Sequence, residues 1–266
     1  MGTAPGERRG QKSLRNFKAV LQYVGTRYQG WQRQQSSQNT IQGKLEAILQ
    51  KMTGEPVEVH GSGRTDAGVH AYGQVANFKL STDKDAAELL SYINQYLPED
   101  IAVVCLEEVP LRFHSRLNAT GKCYRYRILN SAIPQVFEMP FVWQIPEPLD
   151  VDAMRVAAQA LCGVHDYRSF TSLGKTKKST IRRVDEIRIE RLENEICFTF
   201  QGDGFLYHMI RIIMGTLVEV GKGERKASSM AELLQAGQRS LAGPLAPARG
   251  LALMEVYYDE AGRTEG

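Results

Sequence analysis

Cysteine is scarce in this chain of 266 residues, and the four cysteines are scattered. No two of them have the Cys-x-x-Cys spacing of zinc sites and redox motifs, so a disulfide framework or a zinc centre is not indicated. The five histidines form no metal-ligand pattern either. We therefore expect reduced thiols, no bound metal and a cytoplasmic location.

Long apolar runs are also absent. The most apolar segment, residues 205–220, is shorter than the ~20 residues that a membrane-spanning helix needs. It also contains His208 and Arg211, so we expect a buried helix in a soluble protein without a membrane partner. Residues 1–16 are basic but lack an apolar stretch, which favours a mobile leader over a signal peptide. The net charge of +3 permits a nucleic-acid partner without requiring one.

The spacing of apolar residues predicts strands and helices mixed along the chain. Alternation predicts strands at residues 17–23, 57–60, 72–80, 101–108, 124–128, 185–189, 196–201 and 251–258. Helical spacing predicts helices at residues 41–52, 84–97, 151–161, 205–220 and 229–236. We expect an α+β fold in which two sheet-bearing halves, with mixed or antiparallel sheets flanked by helices, enclose a groove. The leader would span residues 1–16, and the halves residues 17–118 and 119–260.

A glycine-rich loop at residues 61–68 contains one cation and one carboxylate, Arg64 and Asp66. Glycines allow the backbone to approach a ligand closely or to adopt positive φ. Taken alone, the loop is explained at least as well by a turn in which Asp66 caps local amides and Arg64 is solvated.

Arg211 gives an independent indication, because it lies in the apolar helix at residues 205–220. An unpaired buried charge is costly, on the order of 3–5 kcal/mol when a buried pair is broken. We therefore expect a carboxylate or phosphate partner for Arg211, with snorkelling or a purely structural ion pair as the alternatives. His208 shares its helix face and is expected to be a core histidine.

Two basic segments suggest a groove for single-stranded or flipped-out RNA. Each alone is more often a solvated surface, and the segment at residues 113–117 is expected beside a strand in which Arg125 and Arg127 alternate with tyrosines. Residues 174–183 hold five cations and no acid, and residues 113–117 add a potential phosphate-binding cluster. The binding candidates are Phe113, His114, Ser115, Arg116, Leu117, Tyr124, Lys175, Lys177 and Lys178.

The sequence Gly-Arg-Thr-Asp-Ala-Gly-Val-His-Ala at residues 63–71 resembles the signature of the tRNA pseudouridine synthase A family. The resemblance extends in order from residue 17 to residue 258. Further matching segments are residues 28–32, 40–42, 97–101, 113–116, 122–126, 163–170, 204–215 and 246–251. One departure is Val24, at a position where the family usually has an aspartate.

The resemblance implies the pseudouridine synthase fold and a homodimer that modifies uridines of the tRNA anticodon stem-loop, at tRNA positions 38, 39 and 40. Neither a metal nor a cofactor is implied. Asp66 corresponds to the nucleophile, and Arg64 to the side chain that enters the vacated stack. Tyr124 corresponds to the residue beneath the target base, and Arg211 to the ion-pair partner of Asp66.

The chemistry suits these residues. The isomerisation consumes nothing, and a carboxylate beside the anomeric carbon can stabilise or capture positive charge there, as in retaining glycosidases. The base must first leave the stack, and an aromatic ring such as that of Tyr124 can hold it.

Three alternatives remain at this stage. The same reaction on another RNA, such as ribosomal RNA, is kept open by Val24. A non-catalytic RNA-binding protein is disfavoured, because it does not need Asp66 among phosphate-facing cations. A metal-dependent nuclease is disfavoured because the cluster of carboxylates that such a site uses is missing.

Overall fold

The computed structural model describes residues 13–35, 37, 39–174 and 179–259. In this part of the chain ten strands and five α-helices alternate, so the predicted α+β class is confirmed. The strands are β1 (Leu14–Tyr23), β2 (Val59–Gly61), β3 (His70–Ser81), β4 (Ile101–Val109), β5 (Ala119–Leu129), β6 (Trp143–Gln144), β7 (Gly163–Asp166), β8 (Ile181–Leu192), β9 (Glu195–Gly202) and β10 (Leu251–Tyr258). The helices are α1 (Ile41–Thr53), α2 (Ala86–Tyr96), α3 (Val151–Gln159), α4 (Met209–Gly221) and α5 (Met230–Ala236).

All ten strands belong to one mixed sheet. Its order is β4-β1-β3-β10-β5-β9-β8-β7, with β2 paired to β3 and β6 paired to β5. The last strand, β10, runs parallel to β3 and antiparallel to β5. It therefore joins the strands of the two predicted halves into a continuous sheet, while the division of the chain at residue 118 stays a prediction.

Local signals account for the first helix. Thr40 is its N-cap, because the hydroxyl accepts a hydrogen bond from the N–H of Gly43, and Gly54 ends it in the left-handed conformation at φ 79°. Helix α2 begins with a reciprocal capping box between Asp85 and Glu88. These elements lie where the sequence predicted them, to within two residues.

Helix α4 begins at Met209, four residues after the predicted start, so that prediction was wrong. The residue before it, His208, has a left-handed backbone at φ 64°. A right-handed helix cannot continue back through such a residue. Residues 205–208 therefore form a turn, which presents Phe205 and His208 at the N-terminal end of α4. No helix in the described part of the chain is long and apolar enough to cross a membrane.

Strand β5 positions residues on opposite faces of the sheet, because successive side chains alternate. Tyr124 and Tyr126 are buried on one face, and Arg125 is exposed on the other. Arg127 is ion-paired with Glu138 and Glu195, each at 2.7 Å.

Candidate active site

The loop between β2 and β3, residues 62–69, is fixed from below by buried polar side chains. Gln74, on β3, accepts a hydrogen bond from the hydroxyl of Ser62 at 2.7 Å and donates one to the carbonyl of Gly63 at 3.0 Å. The hydroxyls of Tyr23 and Thr65 are 2.8 Å apart. The part of the loop that precedes Asp66 is thus tied to two strands of the sheet, β1 and β3.

A second chain segment packs directly on this loop. The N–H of Trp31 donates to the carbonyl of Thr65 at 3.0 Å. Gly30, at φ 89°, lies so close that a Cβ atom there would be 2.6 Å from the same carbonyl oxygen. On the far side, the N–H of Val69 donates to the carbonyl of Asp66, closing a turn that contains Gly68 at φ 80°. Asp66 therefore stands at the tip of a rigid turn.

Arg211 of α4 meets Asp66 there. Its Nη1 atom lies 3.0 Å from Oδ2 of Asp66, and its Nε atom donates to the carbonyl of Ala246 at 2.8 Å. The side chains are only 12% and 18% exposed, so the pair is weakly screened by solvent. The carboxylate partner expected for Arg211 is present.

His208 also faces the carboxylate. Its Nε2 atom is 3.6 Å from Oδ2 of Asp66, and its Nδ1 atom is 2.9 Å from the hydroxyl of Ser172. Desolvation lowers the pKa of His208, although the charge of Asp66 acts in the opposite direction. The sequence predicted that His208 is a core histidine. This prediction was wrong, because the ring lies beside the carboxylate of Asp66. Its spacing of three residues from Arg211 was the only signal for this in the sequence.

Tyr124 closes the site from beneath. Its ring is 7% exposed and meets the ring of Phe205 edge to face, at 5.3 Å between centroids and 83° between planes. Burial raises the pKa of the Tyr124 phenol, and Tyr23 and Asp66 raise it further. The tyrosine is therefore a neutral, apolar floor, and not the exposed ring suggested by the sequence.

Arg64 is exposed and lies two residues before Asp66 in the loop. Its Nε atom donates to the side-chain oxygen of Gln32 at 3.1 Å. The guanidinium thus lies at the protein surface, with a neutral side chain as its hydrogen-bond partner.

The segment at residues 113–117 contains both buried and exposed side chains. Ser115 is fully buried, and its N–H donates to the side chain of Asn77, while its hydroxyl donates to the carbonyl of His60. The ring of Phe113 packs on Tyr258. Phe113 and His114 are half-buried, and only Arg116 and Leu117 are fully exposed candidates of this segment.

Two groups of basic residues remain from the sequence analysis, three lysines near residue 176 and two arginines of β5. Lys175, Lys177 and Lys178 lie outside the described residues. Arg125 and Arg127 face the side of the sheet opposite to Tyr124, so the interpretation of a basic strand face beside the groove was wrong. The alternation of strand side chains requires this once Tyr124 points to Asp66.

The departure at Val24 has a backbone role. Its N–H donates to the carbonyl of Asp100 at 2.9 Å, at the start of a short helical turn. Within the described residues, no group of three or more His, Cys, Asp or Glu side chains is placed to hold a metal ion.

Comparison with known proteins shows the family of this chain. The family model described as tRNA pseudouridine synthase matches residues 19–118 and 157–259. A protein named tRNA pseudouridine synthase A from Bacillus sp. (strain KSM-64) is 45% identical, over 92% of this chain and 100% of its own length. Those of the same name from Brevibacillus brevis and Acetivibrio thermocellus are 43% and 40% identical over the same shares. The chain belongs to the tRNA pseudouridine synthase family.

Proposed function

We propose that this protein converts uridine to pseudouridine in tRNA, with Asp66 as the nucleophile. The observation that carries the proposal is the carboxylate itself, which stands at the tip of a rigid loop. Arg211 and His208 both contact its Oδ2 atom. The other oxygen, Oδ1, is therefore the one that faces the substrate.

Each residue of the site has a separate role in the reaction. The C1′–N1 bond of the nucleotide breaks, the base turns, and a C1′–C5 bond forms, while C5 loses a proton and N1 gains one. Asp66 stabilises or captures the positive charge at the sugar. Arg211 balances the carboxylate's charge and aims it, and the buried ring of Tyr124 supports the detached base in a site that excludes water.

The substrate is proposed from the relatives, which are named for tRNA. We assign the protein to uridines of the anticodon stem-loop, at positions 38, 39 and 40, and to the cytoplasm, acting as a homodimer. Arg64, exposed at the rim, takes the place of the flipped nucleotide in the RNA stack. Arg116 and the lysines at residues 175, 177 and 178 contact phosphates, which position the RNA without reading its sequence.

The test is to map pseudouridine in unmodified tRNA after incubation with wild-type protein or Asp66→Asn. Wild type should modify the anticodon stem-loop, and Asp66→Asn should bind the same tRNA but form no pseudouridine, because charge and nucleophilicity are lost with little change in volume. Asp152→Asn is the matched control and should keep full activity, because Asp152 is an 89% exposed carboxylate on α3.

Ribosomal RNA fragments belong in the same experiment. Modification of these fragments, with tRNA left unmodified, would overturn the assigned substrate but keep the chemistry. Pseudouridine formation by Asp66→Asn at the wild-type rate would overturn the assigned nucleophile.

A further inference from the structure

Lys122 is a half-buried cation beneath the loop that carries Asp66. It precedes Tyr124 by two residues on β5, so both side chains lie on the same face of the sheet. Its ammonium group donates to the carbonyl of Ser62 at 2.9 Å. The approach is close enough that a Cβ atom on Gly63 would collide with Nζ.

Arg182 lies on the same face two strands away. Lys122 is paired with Gly202 on β9, and Gly202 is paired with Val184 on β8. Arg182 precedes Val184 by two residues and therefore shares its face. Its guanidinium donates to carbonyls of its own segment, those of Ser179 and Ile181.

Arg116 is close enough to Lys122 for their charges to interact. The buried neighbour Ser115 fixes its segment to the carbonyl of His60, at the entrance of the same loop. The Arg116 side chain itself is exposed.

The three cations repel one another. Burial lowers the pKa of Lys122, and the charges of Arg116 and Arg182 add to this shift, which brings the pKa to about 8. None of the ion pairs in the described residues joins Lys122, Arg116 or Arg182 to a carboxylate. Three neighbouring cations that form no ion pair within the described residues favour the binding of an anion.

We propose that Lys122, Arg116 and Arg182 bind one backbone phosphate of the RNA, next to the uridine that occupies the Asp66 site. This inference rests on the proposed function, because it takes RNA as the ligand. Arginine and lysine are the usual partners of phosphate, and an ammonium group can serve one phosphate oxygen while it keeps a protein carbonyl. Lys122 thus connects the bound phosphate to the loop that holds Asp66.

The experiment measures binding of a fluorescent anticodon stem-loop RNA at several salt concentrations. The variants are Arg116→Gln, Arg182→Gln and Lys122→Met. Arg125→Gln is the control, because it removes an exposed cation from β5 on the opposite face of the sheet. Each of the three variants should weaken binding about tenfold and reduce the log–log salt slope by roughly one, whereas the control should change neither.

A neutral methylphosphonate, placed in turn at each phosphate flanking the target uridine, tests the shared ligand. At one position it should weaken wild-type binding about tenfold but weaken the binding of Arg182→Gln by a smaller factor, because this variant has already lost one contact to that phosphate. Additive losses at every position would overturn the proposal.

The pH dependence of RNA binding distinguishes a phosphate contact of Lys122 from a purely structural hydrogen bond to the loop. A phosphate favours charged Lys122, so wild-type affinity should be full below pH ~8 and fall several-fold between pH 8 and 9. Lys122→Met has no ammonium group to titrate and should lose this dependence. An equal fall in the variant would overturn the role of Lys122.

The two proposals fail in different ways. Pseudouridine formation by wild type, with all three variants binding RNA like wild type, would sink the phosphate site alone. Variant-specific loss of binding without any pseudouridine formation by wild type would keep the phosphate site and sink the proposed function.

Discussion

The Nη1 atom of Arg211 lies 3.0 Å from the Oδ2 atom of Asp66, although 145 residues separate them in the chain. The second anchor of this guanidinium, from Nε to the carbonyl of Ala246, fixes its orientation. A carboxylate whose partner is held in this way is preorganised for reaction, which is where most electrostatic catalysis arises.

Replacing Arg211 tests this directly. Arg211→Met keeps length and apolar packing but leaves Asp66 without its partner, so we expect a loss of roughly 10²–10³-fold in single-turnover rate. The melting temperature should change less than the rate, because an apolar side chain relieves the desolvation cost on that side. Arg211→Lys should recover only part of the rate, because one ammonium cannot reproduce the fork that spans Asp66 and Ala246. A wild-type rate for Arg211→Met would exclude a part for this pair in catalysis.

His208 combines a strained backbone with proximity to the carboxylate. His208→Asn should fold normally, because asparagine tolerates the left-handed region, but lower the rate about tenfold through loss of the contact with Asp66. His208→Val should be destabilised by about 1–3 kcal/mol, since a β-branched residue is poorly tolerated at φ 64°. Thermal unfolding and single-turnover rates separate the two effects. An unchanged rate in a folded His208→Asn variant would limit the imidazole to a structural role.

Gly30 and Gly54 form a matched pair for the rigidity of the loop. Both have positive φ, but only a Cβ at Gly30 would meet other atoms, 2.6 Å from the carbonyl of Thr65. Gly54→Ala should cost about 1 kcal/mol of unfolding free energy from backbone strain alone, with activity kept. Gly30→Ala should cost about 1–3 kcal/mol more and reduce activity, because it displaces the loop. The measurements are urea unfolding and the reaction rate of each variant. Equal losses of stability and activity at both positions would contradict the close packing of Gly30 on the loop.

His70 should couple stability to pH. Its Nδ1 accepts from the N–H of Gly25 at 3.1 Å, and its Nε2 lies 3.1 Å from the carbonyl of Arg249, so the neutral ring satisfies both contacts. Burial lowers the pKa of His70 below its usual 6.5. The unfolded chain therefore takes up the proton first, and stability falls as the pH drops below 6.5, by at most about 1.4 kcal/mol per pH unit.

The measurement is the free energy of unfolding in urea between pH 7.5 and 5.5. His70→Gln should be less stable at pH 7.5 but show a shallower decline. Part of the slope should remain, because the pKa of His208 is lowered as well. The same slope in both proteins would show that His70 titrates normally in the folded state.

Local signals in the sequence determined much of the fold. Strand β10 has the predicted bounds, and α1 begins and ends at Thr40 and Gly54, because alternation, capping and a left-handed glycine act within a few residues. The sequence also indicated that Arg211 has a charged partner, because a charge in an apolar segment is costly unless an opposite charge compensates it.

Only the tertiary structure decided which side chains face the site. The backbone turn at His208 shortened the predicted helix and aimed the imidazole at Asp66, and strand pairing turned Lys122 toward the loop and Arg125 away from it. A one-residue change in register exchanges the two faces of a strand, so neither outcome follows from composition or spacing. The joining of both halves through β10 is likewise a long-range pairing that no local pattern specifies. The sequence thus determined most of the elements, though not β6 and β7, and which residues have the chemistry, and the pairing of distant strands determined which of these residues meet.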